Sequence, residues 1–389
     1  MRDYKYIFLL LIILMFSCTL YSQENVLQKV DKRNQETIKN TKDTTTNDTV
    51  VKKKKSGVIP LPYLITDRNI GYGLALGLAY FNENKRSNKE QIPPTVTGIM
   101  GAYTQTKTFL VGGFRSQSFS DDKIRYLGGV FYSNINIDFY KLGKIDLGEN
   151  PFSVNINMWG TMQRAMFRVK ETDFFIGVHY MFATSRSKLN LKREFILSSD
   201  SISVNAINTK SYFSALGLDF NFDNRDNTIS PNKGVNTGLE ILYNTELLGA
   251  SENFAQFDLY FYGYLPLTKW LYSLYKFDYD VFVGDVPFYF EPYLDLRGAP
   301  AMRYQGNQTI MAEIQLRVYL AKRFALVGFG GVGKAFDEVA EFNSSEWVYN
   351  YGTGLRYQLK KLFKIRIGAD FAWCNDDFGW YLVVGSSLN

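Results

Sequence analysis

Histidine and cysteine are almost missing from this chain of 389 residues, which has one histidine, His179, and two cysteines, Cys18 and Cys374. Cys18 falls in an apolar leader, so a single cysteine is left for the mature chain and an intrachain disulfide framework is excluded. A Cys/His zinc site is excluded almost as firmly, and a Ser-His-Asp constellation has one imidazole to draw on. No G-x-S-x-G occurs, and no phosphate-cradling glycine spacing crosses the Arg/Gly-rich stretch at 296 to 308. After the leader no run of eighteen apolar residues is found, which excludes helical membrane spans. Nothing in the pattern asks for a cofactor or a metal ion, and the gaps weigh against an enzyme.

What the chain has in plenty is aromatic: 27 Tyr and 31 Phe, beside 31 Gly. It opens MRDYKYIFLLLIILMFSCTLYSQEN, with a short basic stretch, an apolar core from Tyr6 to Phe16 and a small-residue exit near Ser22. That is the pattern of a secretory signal peptide over 1–22. Lipidation at Cys18 is a weaker alternative, because Met15 and Phe16 stand where a lipobox wants an aliphatic and a small residue. Residues 23–56 are Thr/Asn/Lys-rich and nearly free of aromatics, so they read as a flexible linker that cannot bury enough surface to fold alone. Its run Lys52 to Lys55 supplies much of the formal net charge of +6 as a solvated stretch, and no nucleic-acid partner is implied.

From Gly57 onward the text changes to long segments with period-two alternation, the register of strands. In TIMAEIQLRVYLA, Thr309, Met311, Glu313, Gln315, Arg317 and Tyr319 share one face and Ile310, Ala312, Ile314, Leu316, Val318 and Leu320 the other. FKIRIGADFAWC sets Ile367, Ala369, Phe371 and Trp373 against Arg366, Gly368, Asp370 and Cys374, and FAQFDLYFYGY sets Phe257, Leu259 and Phe261 against Gln256, Asp258 and Tyr260. Strands of a soluble sandwich are shorter and turn their apolar face to a core. Strands of roughly nine to eleven residues or more, with charge on the opposite face, fit an all-β transmembrane antiparallel barrel with lipid outside and a wet lumen. Closure follows once helices are excluded, because backbone groups in lipid must all be paired.

About sixteen strands are expected over 57–389, with both chain ends in the periplasm and 138–151, 187–208, 284–307 and 336–345 facing outward. The first, 58–66, carries Pro60 and Pro62, which cannot donate to a ladder and belong at an edge. The Gly-rich VGFGGVGKAF, with Gly328, Gly330, Gly331 and Gly333, is expected to admit another backbone at close range. His179 and Cys374 both fall on inward parity and read as structural fillers.

Two stretches carry a family resemblance. LRGAPAMRYQG, from Leu296 to Gly306, resembles the arginine-glycine loop signature of the BamA/TamA-type assembly barrels, the bacterial surface antigen superfamily. FDNRDNTISPNKG, with Asp223, Arg225, Asp226, Pro231 and Gly234, is similar to that family's periplasmic turn before the ninth strand. The resemblance covers about 57–389 and implies a long outer loop folded into the lumen, its arginine docked on the twelfth and thirteenth strands. The matching residues are Arg297 and Gly298, with Arg303 nearby, Glu313 and Gln315 as acceptors, and Gly331 where some members carry an aspartate. Glu313 is the acceptor of choice, since a buried guanidinium wants a carboxylate. Arg297 holding an exposed loop or meeting lipopolysaccharide phosphate is the alternative.

Family members usually carry POTRA repeats before the barrel, and here the linker stands in that place. The resemblance implies an outer-membrane barrel that assists insertion or translocation of proteins or lipids through a seam between first and last strands. Its partners would be outer-membrane lipid and lipopolysaccharide, client barrel proteins or lipids, and a POTRA-bearing or periplasmic protein. Pro60 and Pro62 suit such a seam, because a strand with fewer donors opens at lower cost. A passive pore or surface-binding barrel is the first alternative. An outer-membrane hydrolase built on His179 is the second.

Overall fold

The computed structural model of the protein describes residues 56–67, 69–82, 92–93, 95–142, 145–146, 151–190, 210–227, 230–358 and 366–384. The signal peptide expected at 1–22 lies outside them, as does the linker expected at 23–56 except Ser56, which opens the first strand.

Sixteen strands form one antiparallel sheet in which each neighbours the next in sequence. The first quarter comprises β1 (Ser56–Ile65), β2 (Gly73–Asn82), β3 (Thr95–Thr104) and β4 (Phe109–Phe119). Next come β5 (Ile124–Phe139), β6 (Phe152–Arg168), β7 (Phe174–Asn190) and β8 (Lys210–Asp223). They are followed by β9 (Gly234–Asn244), β10 (Phe254–Pro266), β11 (Leu271–Gly284) and β12 (Gln308–Tyr319). The last are β13 (Phe324–Phe336), β14 (Val348–Gln358), β15 (Arg366–Cys374) and β16 (Asp377–Val384). An even count puts the start of β1 and the end of β16 on one side, with the turn 224–233 between β8 and β9. The loop 285–307 between β11 and β12 lies on the other side.

The outer face is apolar. Leu74, Leu76 and Leu78 on β2, Ile314 and Leu316 on β12, and Phe371 and Trp373 on β15 are all exposed, as a lipid-facing belt requires. Glu313, Gln315 and Arg317, and Arg366 and Asp370, alternate with them and are buried inside. β5, β6 and β7 run to 16, 17 and 17 residues, beyond the roughly ten a bilayer needs, so their ends stand clear of the lipid.

The structure corrects three expectations. The lumen is not wet throughout: over β2 to β8 many of the inward residues are apolar, among them Ala75, Met100, Phe131, Met158 and Met181. Polarity therefore cannot assign faces there, because the inner face meets a protein plug instead of water. The second strand begins at Gly73 rather than near 69, since Asp67 caps a turn by accepting from the backbone N–H groups of Asn69 and Ile70 at 2.7 and 3.0 Å. Only part of the Gly-rich β13 admits close neighbours: a Cβ on Gly333 would come within 2.9 Å of Leu294 in the inward loop, whereas one on Gly328 would meet nothing.

Among the described residues β1 and β16 share no ladder, so the sheet has two edges that meet at a seam, where the Thr66 hydroxyl donates to the Trp380 carbonyl. Pairing of β1 to β2 continues unbroken through Pro60 opposite Leu78 and Pro62 opposite Leu76. Donors to one neighbour come from every second residue, so residues of the other parity supply β2. The two prolines leave their missing donors on the edge turned to β16.

Candidate functional site: a loop strapped across the seam

The loop 285–307 enters the lumen as an aromatic wedge. Phe288 meets Phe139 edge-on with ring centroids 5.0 Å apart, Phe290 lies 5.6 Å from Phe213, and the Tyr289 hydroxyl donates to Ser211 Oγ at 2.8 Å. Such pairs add to area burial and fix the ring orientations. Tyr293 and Gln305 bridge the two limbs, which carries Leu296, Arg297 and Gly298 toward β12 to β16.

Arg297 is nearly buried and uses its whole fork. Nη2 and Nε donate to Glu313 Oε1 and Oε2 at 2.5 and 3.3 Å, and Nη1 donates to Gln315 Oε1 at 3.0 Å and Asp370 Oδ2 at 2.8 Å. The guanidinium lies 3.4 Å from the centroid of the Phe329 ring. Asn350 Nδ2 donates to the Arg297 carbonyl at 3.0 Å and to Glu313 Oε2 at 2.8 Å, and Arg356 grips the two oxygens of Asp370 at 2.5 and 2.8 Å. Two guanidiniums therefore face two carboxylates, a neutral set in which the buried charges are multiply hydrogen-bonded. Gly331 lies opposite both Glu313 and Asn350, where a Cβ would stand 2.6 Å from Asn350 Oδ1 and 2.7 Å from the Ala312 carbonyl. Gly298 has φ +99, donates its N–H to the Tyr381 hydroxyl of β16 at 2.9 Å, and leaves no room for a Cβ against Cys374 N at 2.9 Å. Arg303 stands apart from this set, 4.6 Å from the Tyr140 ring centroid.

The same loop also holds the other edge of the sheet. Asn69, in the β1–β2 turn, donates to the carbonyls of Ala301 and Asp138 at 2.5 and 2.7 Å and accepts from Asp138 N–H at 3.0 Å. The Ala301 N–H reaches Asp67, whose carboxyl burial pushes above the ordinary aspartate range although the N–H groups of Ile70, Asn69 and Ala301 pull it down. One loop is thus tied to the last strands through Arg297 and Gly298 and to the first hairpin through Ala301.

Asp370, Asn350, Tyr381, Arg356 and Asn69 are the members that sequence reasoning missed. Inward parity of Asp370 was the one available signal; which cation it faces is decided by a loop 73 positions away.

On the side of the chain ends, Asp223 pairs with Arg225 at 2.7 Å and with Arg125 of β5 at 3.1 Å. Asp226 Oδ1 accepts from the N–H groups of Asn232 and Lys233 at 2.8 and 3.2 Å, and Gly234 turns at φ +108. The segment Ser230–Pro231–Asn232 folds inward, where Arg366 donates to the Ser230 and Pro231 carbonyls at 3.1 and 3.3 Å.

His179 is buried 3.8 Å from Asp219, and Glu240 joins them with all ligand atoms within 4.8 Å, a set whose donor types suit a divalent cation. Arg164 already binds both carboxylates, at 3.1 Å to Asp219 and 3.3 Å to Glu240, and no residue of this group lies in the inward loop.

No family model and no curated protein matches the sequence. Solved structures do match. BamA from Haemophilus ducreyi lacking POTRA domains 1–3 is 15% identical over 86% of this chain and 70% of its own, with a TM-score of 0.56. CdiB from Acinetobacter baumannii is 9% identical over 85% and 59%, with a TM-score of 0.54. CdiB from Escherichia coli is 10% identical over 88% and 64%, also with a TM-score of 0.54. The chain therefore spans less than two thirds of either CdiB chain and somewhat more of the BamA chain. At such identity the likeness is one of fold: the sixteen-stranded antiparallel sheet of this chain is similar to the β-barrel of BamA.

Proposed function

We propose that the protein sits in the outer membrane and assists insertion or translocation of proteins or lipids through the seam between β1 and β16. The observation that carries this reading is the strap: one inward loop bonded to Glu313, Asp370 and Tyr381 on the late strands and to Asn69 on the first hairpin. A first strand with absent donors can make fewer ladder bonds to β16, so the two edges part at lower cost. Arg297, Gly298, Glu313, Gln315 and Gly331 are the residues that set the strap, and Asp223, Arg225, Asp226, Pro231 and Gly234 shape the periplasmic turn. Pro60 and Pro62 weaken the seam. Clients would be barrel proteins or lipids, and a POTRA-bearing or periplasmic protein would deliver them. A passive pore is less well supported, because the loop packs an aromatic wedge against inward residues of β5 and β8.

The test is a set of cysteine pairs placed across β1 and β16 in a Cys374→Ala background. Folding of a urea-unfolded barrel client into vesicles holding the protein is followed under oxidation and after reductant. Cross-linking is expected to abolish the acceleration and reductant to restore it. A fully cross-linked barrel with undiminished activity excludes the lateral route.

A further inference from the structure

The inner wall of β12, β14 and β15 carries Arg317, Arg356 and Arg366, and with Arg297 of the loop these arginines face two carboxylates on the same strands, Glu313 and Asp370. Arg297 and Arg356 are matched by Glu313 and Asp370, as described, and that leaves Arg317 of β12 and Arg366 of β15. These two are 3% and 1% exposed, and neither has an ion pair among the described residues. Both point at the same neutral acceptor: Arg317 Nη2 donates to Asn232 Oδ1 at 2.8 Å, and Arg366 Nη2 donates to that same oxygen. The remaining partners of Arg366 are also neutral, namely Ser230 Oγ at 2.8 Å, the Tyr319 hydroxyl at 2.9 Å and the two backbone carbonyls of the turn. Arg317 Nε has no acceptor, and its guanidinium otherwise lies over Tyr272 and Tyr319, 5.0 and 5.7 Å from the ring centroids.

Two guanidiniums that share one amide oxygen are close enough to share one anion. An amide oxygen carries a partial charge, whereas burying an unpaired guanidinium is costly unless an anion accompanies it. Several N–H donors in fixed planes around a small space match a tetrahedral oxyanion better than a single carboxylate. We propose that Arg317 and Arg366, with Ser230 Oγ, form a phosphate-binding site at the lumen mouth on the side of the chain ends, and that Asn232 is a neutral stand-in the anion displaces. The ligand chemistry is a phosphate group, either free in solution or at the head of a lipid.

The full mature chain, refolded in phosphate-free dodecyl maltoside, is titrated against inorganic phosphate, and the phosphorus NMR line width reads binding. A second arm compares thermal unfolding in vesicles of phosphatidylcholine with and without phosphatidic acid. Line broadening in the first arm assigns the site to free phosphate; stabilisation confined to the second assigns it to a lipid headgroup. In either arm Arg317→Gln is expected to weaken the response about tenfold or more. The same variant should unfold at a higher temperature than the wild type in phosphate-free buffer, because it removes an uncompensated charge. Asn232→Ala frees both guanidiniums and is expected to tighten binding, which keeps the test decisive should Arg317→Gln fail to fold. A wild-type response in neither arm, or an equal response from wild type and both variants, overturns the proposal.

Discussion

Arg297→Ala removes one cation from a set of four buried charges, and the two carboxylates left behind fare differently. Asp370 keeps both bonds from Arg356, so its charge remains paired. Glu313 loses its two bonds to Arg297 and keeps Asn350 Nδ2 at 2.8 Å, an amide with no formal charge. Breaking a buried pair from one side costs about 3 to 5 kcal/mol. Because one of the two anions is rescued, the lower end, about 3 kcal/mol, is expected. Arg303→Ala breaks contacts with the Tyr140 and Tyr304 rings at a half-buried site, and about 0.5 to 1 kcal/mol is expected there. The assay is urea unfolding of the refolded barrel in vesicles, read by tryptophan fluorescence and by the difference in gel mobility between boiled and unheated samples. The double variant Arg297→Ala/Glu313→Gln should regain part of the loss, since no anion is then stranded. Equal and negligible effects of Arg297→Ala and Arg303→Ala would place Arg297 in solvent and refute the reasoning.

Single-cysteine labels at Phe371 and Trp373 should be quenched by lipid-borne probes, and labels at Arg366 and Asp370 should not; the reverse pattern would shift the register of β15 by one residue. Gly331→Ala puts a methyl 2.7 Å from the Ala312 carbonyl, which is backbone and cannot turn aside, so a loss of about 1 to 3 kcal/mol is expected in the same urea assay. Gly328→Ala, with open space around its Cβ, serves as the control and should change little. Asp67→Asn keeps an oxygen acceptor for Asn69 and Ile70 while removing a titration whose folded-state pKa is raised. The folded state therefore binds this proton more tightly than the unfolded one, and the stability it contributes is lost as pH rises through the folded pKa. Thermal unfolding should show the variant ahead of the wild type at neutral pH, with the gap closing toward about pH 4; a gap independent of pH would refute the burial of Asp67.

In β10, β12 and β15 alternation alone separated the two faces, because lipid on one side and polar partners on the other impose opposite chemistry on neighbouring residues. Phe371 and Asp370, one position apart, could not both satisfy either environment, and the family resemblance of the loop, joined to the inward parity of Glu313, named Arg297 with Glu313. Over much of β2 to β8 the same logic had less to grip. Met100, Phe131 and Met181 face inward and are as apolar as the lipid-facing residues, since they belong to an apolar cluster that the aromatic wedge of a loop far along the chain joins. Only the tertiary structure decided that Asp370 meets Arg297, that Asn69 of the first hairpin holds Ala301, and that Arg317 and Arg366 converge on one side chain of the turn at 230–232. Period-two patterning states which side of a sheet a residue takes. Which strands curl round to face each other, and therefore which charges are matched and which are left over, depends on closure of the barrel and the path of its loops, and is written in no local stretch of sequence.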